Sequence, residues 1–132
     1  MPIRSACDAE LIAAFEDQTH PSLSHEEHVR LGYLYLQAAP ITEVLATFPN
    51  KLRRYAAAKG APEIYHETIT WAFIALIHER MATKATASWA EFRSVNPDLL
   101  CSSVLTDHHY SKQDLACDLA RRVFVLPRPR AR

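Results

Sequence analysis

Glycine is nearly missing from this chain. Only Gly32 and Gly60 occur among 132 residues. Tight hairpins and β-bulges depend on residues that accept positive φ, so a β-rich fold is hard to build from this sequence. Alanine, the best helix former, is abundant instead. A chain of this length buries about two-thirds of its unfolded surface when it folds as one domain, enough for a core without cross-links. Apolar residues at 48% and charged residues at 23% make wholesale disorder a poor fit. The expectation is an all-α single domain, an irregular bundle of four to six helices over residues 1–126. Residues 127–132 form a basic Pro/Arg tail, extended or disordered, because Leu126-Pro127-Arg128-Pro129-Arg130 cannot continue a helix.

Start and stop signals place the helices. Ser5 with Asp8 resembles a cap for a first helix over about 6–17, with Leu11, Ile12 and Phe15 as its apolar stripe. Thr19-His20-Pro21-Ser22 breaks it. Ser24-His25-Glu26-Glu27 is a capping box that opens a second helix to about Ala38, apolar nearly all round and therefore central. Ile41, Leu45, Phe48, Leu52 and Tyr55 keep one stripe across Pro49, which predicts one kinked helix over about 42–59, closed by Gly60 at C′. A fourth helix is expected from Pro62 or Glu63 to about Met81. Ser88 and Glu91 form a second capping box for a short helix to Val95, and Asn96-Pro97 opens another to about Leu105. Ser111 with Asp114 caps a last helix to about Val123, with Leu115 and Leu119 facing inward.

Fifteen basic residues balance fifteen acidic ones, so no global field draws nucleic acid or a membrane surface. Five arginines do crowd the last twelve residues, but without aromatic interleaving they read as a solvated tail. Cys7, Cys101 and Cys117 make no CxxC, and no secretory h-region follows Met1. A reduced, cytoplasmic protein is expected, with a homodimer left open. The longest apolar run, 69–77, is too short to span a bilayer.

The seven histidines are the chemical feature. His25 and His28 are three apart on one helical face, the spacing at which two imidazoles can chelate one ion. His66 opens the fourth helix, and in an up-down bundle the second and fourth helices run parallel, which brings all three rings to one mouth. Three nitrogens with an open position suit a divalent metal: zinc, iron, manganese or copper. Glu67, offset from His66 by about 100°, suits an acid/base or supporting role better than ligation. Tyr110 and His109 lie in the loop before the last capped helix and could reach the same pocket as substrate or oxyanion contacts. Glu63-x-x-His66 fits half of a di-iron template whose other half is missing. The plainer alternative is that these are exposed or helix-capping histidines. His78 reads as a packing residue and His20 as a loop residue. No GxGxxG, P-loop, HExxH or GxSxG occurs, which removes the usual support for nucleotide binding and standard hydrolases.

His25-Glu26-Glu27-His28-Val29-Arg30-Leu31, Tyr65-His66-Glu67-Thr68-Ile69-Thr70 and His109-Tyr110-Ser111 with Ala120-Arg121 resemble a family of small bacterial all-α proteins. The shared pattern is an HxxH(V/L)RL helix, a YHETxT segment and an (H/Y)YS loop. The resemblance spans residues 15–126, and the YHETIT segment is its most specific part. It implies a shared site and no particular reaction. Arg128 stands where the family pattern has an acidic residue. The reading is a small helical enzyme acting on a small molecule. His25, His28 and His66 would bind the metal; Glu67, Tyr110 and His109 would serve catalysis. Two alternatives stay open: a metal-free isomerase, cyclase or lyase using His/Glu/Tyr acid–base chemistry, and a non-catalytic helical ligand-binding module.

Overall fold

A computed structural model describes residues 6–128. Among them are eight α-helices, α1 (Ala6–Glu16), α2 (His25–Ala38), α3 (Ile41–Ala58), α4 (Glu67–Thr83), α5 (Trp89–Val95), α6 (Val104–His108), α7 (Lys112–Ala116) and α8 (Asp118–Arg122), with 3-10 turns at Pro62–Ile64 and Pro97–Leu100 and no strand. The fold is an all-α bundle. The short α5–α8 wrap the four longer helices.

The α2 start follows its sequence signal. Ser24 Oγ accepts from the Glu27 amide at 3.1 Å, and Glu27 returns a carboxylate oxygen to the Ser24 amide at 2.9 Å. Two orphan donors of the first turn are thereby satisfied. Val29, Leu31, Gly32, Tyr33, Leu34 and Leu36 are all buried, so α2 is central as its pattern predicts. Gly32 sits where α2 crosses α4. A Cβ there would stand 2.9 Å from Ile77 Cδ1 and 3.3 Å from Ile74 Cδ1. The α3 helix runs unbroken through Pro49 and buries Val44, Phe48 and Tyr55 on one side. It ends at Gly60, which takes φ +73°. Between α1 and α2 the left-handed residue is Gln18, at φ 62°, a use the glycine-poor sequence does not advertise.

Around α4 the core divides. One face joins Leu11, Phe15, Leu34, Phe48, Ile74 and Ile77 in the main cluster; the other meets Val104, Leu105, Tyr110, Leu115 and Val125. Asp8 is 3% exposed and also accepts from Arg30 Nε at 2.9 Å. Ser5 lies outside the described residues.

The later helices correct the sequence reading. The fourth begins at Glu67, because Pro62 opens only a 3-10 turn and Tyr65-His66 are extended. Asn96 does not cap the following turn through its side chain; it donates to the Phe92 carbonyl and accepts from Arg80. The last helix is two, broken at Cys117, and Leu119 is 45% exposed. His78 is exposed instead of packed. After α8 no helix or strand is formed through Arg128, and the remaining tail lies outside the described residues. No helix among the described residues is long and apolar enough to cross a membrane.

Candidate functional site

A cavity of about 380 Å³ lies between α2, α3 and α4 and the loops that precede α2 and α4. His25, His28 and His66 all border it. Residues of the first turns of α2 and α4 therefore border one cavity. Val29, Phe48, Tyr55, Ile74 and Ile77 form a buried floor, while Pro21, Ser22, Lys59 and Ile64 are exposed and mark the mouth. No aspartate or glutamate among the described residues lines it.

The three imidazoles are used differently. His66 is buried at the N-cap of α4. Its Nδ1 accepts from the Ile69 amide at 3.1 Å, and its Nε2 meets the Leu115 carbonyl at 2.6 Å. An acceptor at Nδ1 and a carbonyl at Nε2 together require the Nε2–H tautomer. Both nitrogens are thus spent on backbone. His25 gives its Nε2 to the Leu99 carbonyl at 2.9 Å, with its ring 5.0 Å from that of Phe73. His28 is half-buried on the cavity wall. Burial lowers its pKa first and the adjacent His25 adds to this; the Ser24 carbonyl and Glu27 oppose without reversing it.

Glu67 does not line the cavity. It accepts from Arg53 at 2.8 Å and from the Tyr65 hydroxyl, and the Arg53 guanidinium lies over the Tyr65 ring, 4.6 Å from its centroid. Burial, and then the bond to Glu67, push the Tyr65 phenol upward. Glu67 is therefore part of a charged joint between α3 and α4, made through its Oε1. Glu27 is similarly committed. Burial alone would raise its pKa, but the Ser24 amide and His20, at 2.9 Å, outweigh it and hold the carboxyl low.

Tyr110 and His109 are not brought to this cavity. They border a separate cavity of about 230 Å³ with Ala72, Ala75, Leu76 and Phe124, on the other side of α4. The reason is the break at Cys117 and the return of the chain after α8. Tyr110 is buried and donates to the Val125 carbonyl at 2.7 Å, and burial raises its pKa. The same segment is fastened by Thr68, whose hydroxyl donates to Val123 at 2.9 Å and accepts from the Val125 amide at 3.0 Å. Trp71 stacks on Phe124 at 5.3 Å. His109 is exposed.

The YHETIT segment thus serves largely as a joint. Tyr65 and Glu67 tie α4 to α3, His66 ties it to α7, and Thr68 ties it to the C-terminal segment. Among the described residues, no three His, Cys, Asp or Glu side chains form a metal-ligand group. The wall residues that sequence reasoning left out of the site are Phe48, Leu52, Tyr55 and Lys59 of α3 and its end. Their i, i+3, i+4 stripe was visible, but nothing in it separates a cavity wall from packed core. Comparisons of the chain with protein-family models, with curated proteins and with solved structures find no match.

Proposed function

We propose that this chain binds a small, largely apolar organic molecule in the cavity between α2, α3 and α4, with His28 as the polar contact inside it. The supporting observation is the wall itself: an apolar floor bordered by imidazoles and free of carboxylates. Cavities that bury organic ligands have this composition, with few polar groups on a mostly apolar lining. By the ~150 Å³ that accommodates benzene, this volume takes about 15 non-hydrogen atoms. The metal-centred reading draws on the same three histidines, but the donor set fits it poorly. His66 has no free nitrogen and His25 has already given one to Leu99. The acid–base reading is better placed, because an imidazole held neutral by burial can accept a proton from a bound molecule.

The test uses N-phenyl-1-naphthylamine, a neutral fluorescent probe of suitable size. Saturable binding is expected, with fluorescence enhancement abolished in Ala56→Trp, which fills the cavity from α3. Binding unchanged in that variant would place the probe elsewhere and remove the reading.

A further inference from the structure

The chemistry of the ligand is written in the charges around the mouth. We infer that the cavity takes an amphipathic monoanion, an apolar body of about a dozen non-hydrogen atoms ending in one carboxylate, seated body-inward with its charge at Lys59. This rests on the cavity reading above and adds the ligand class.

Three observations carry it. Among the described residues, the lining holds one permanent cation, Lys59, and no acid. Of the carboxylates flanking the lining histidines, Glu26 is held by Arg93, Glu27 by Ser24 and His20, and Glu67 by Arg53 and Tyr65, while Glu63, beside the lining Ile64, is exposed and makes no ion pair among the described residues. Of the other cations of α3, Lys51 is taken by Glu16 at 2.5 Å and Arg53 by Glu67, and Arg54 does not line the cavity. Lys59 makes no ion pair among the described residues. Its ammonium stands 5.4 Å from the centroid of the Tyr55 ring, itself a cavity wall.

The backbone favours the same sign. The first turns of α2 and α4, the positive ends of two long helices, border the cavity. The negative end of α3, next to Lys59, is offset locally. The amides of Lys59, Gly60 and Ala61 take the carbonyls of Tyr55, Ala57 and Ala56 at 3.1, 3.0 and 2.9 Å. A cationic head would meet Lys59, with no acid among the described lining residues to compensate. A neutral head would gain nothing from it.

The test is displacement of N-phenyl-1-naphthylamine from the full chain by decanoate, 1-decanol and decylammonium, each below its micelle concentration at pH 7.5. Decanoate is expected to displace at least tenfold more tightly than decylammonium. Lys59→Gln should weaken decanoate about fivefold, the scale of a partly exposed ion pair, leave decanol unchanged, and be rescued by Lys59→Arg. Equal affinity for decanoate and decylammonium, or a preference untouched by Lys59→Gln, would overturn the assignment of the anion while leaving the cavity reading in place. Failure of the neutral probe to bind at all would remove both.

Discussion

Removing the His66 imidazole asks whether that ring is a structural joint or a free chemical group. In His66→Ala the Ile69 amide loses its cap, worth about 1 kcal/mol at an ordinary N-cap. The Leu115 carbonyl loses its buried partner at 2.6 Å, and an unsatisfied buried acceptor costs roughly 1–3 kcal/mol. The sum is about 2–4 kcal/mol. Scaled for 132 residues, that corresponds to a fall in Tm of roughly 8–16 °C. His66→Asn, whose side chain can cap α4 but cannot reach Leu115, should recover about 1 kcal/mol of this. Urea unfolding followed by circular dichroism measures both variants, with m unchanged if only stability is affected. A stability for His66→Ala within about 0.5 kcal/mol of the parent, the range of a neutral surface substitution, would refute the joint and return His66 to the pool of groups available for chemistry.

Thr68→Val is nearly isosteric but strips a fully buried hydroxyl of its bonds to Val123 and Val125. It should cost about 1–3 kcal/mol, with faster hydrogen exchange at the Val125 amide; unchanged exchange there would contradict the fastening of the C-terminal segment. Gly32→Ala gains about 1 kcal/mol of helix propensity but drives its Cβ against the ends of Ile77 and Ile74, both of which line the cavity. Stability within about 1 kcal/mol of the parent and weaker N-phenyl-1-naphthylamine binding are expected; unimpaired binding would mean that the isoleucines yield in another direction. His28 has its folded pKa below the ordinary histidine value, so between the two values the unfolded chain binds the extra proton. Its contribution therefore favours folding above about pH 6.5 and declines as pH falls through that window. Between pH 7 and 5, His28→Gln should lose less stability than the parent in urea titrations; parallel losses would show that His28 titrates as an exposed ring.

Local signals were legible where the determining contacts lie within one turn. The Ser24/Glu27 box, the passage of α3 through Pro49 and the stop at Gly60 all follow from neighbours three or four residues apart. His25, His28 and His66 border one cavity, as an up-down order of the four main helices predicts. The signals misled where a distant partner decided the outcome. Asn96 looks like an N-cap, but Arg80 and the Phe92 carbonyl hold its side chain. Tyr110 looks like a pocket residue, but the returning C-terminal segment takes its hydroxyl.

The histidines divide along the same line. Residue type and spacing alone determined that the chain is helical, because helix periodicity is a property of sequence; His25, His28 and His66 border one cavity. Which ring nitrogens remain open was decided by backbone carbonyls 74 and 49 residues away, Leu99 for His25 and Leu115 for His66. Hydrogen-bonding capacity is exhausted by partners that only tertiary packing supplies, so a row of identical side chains became a cap, a brace and a cavity wall.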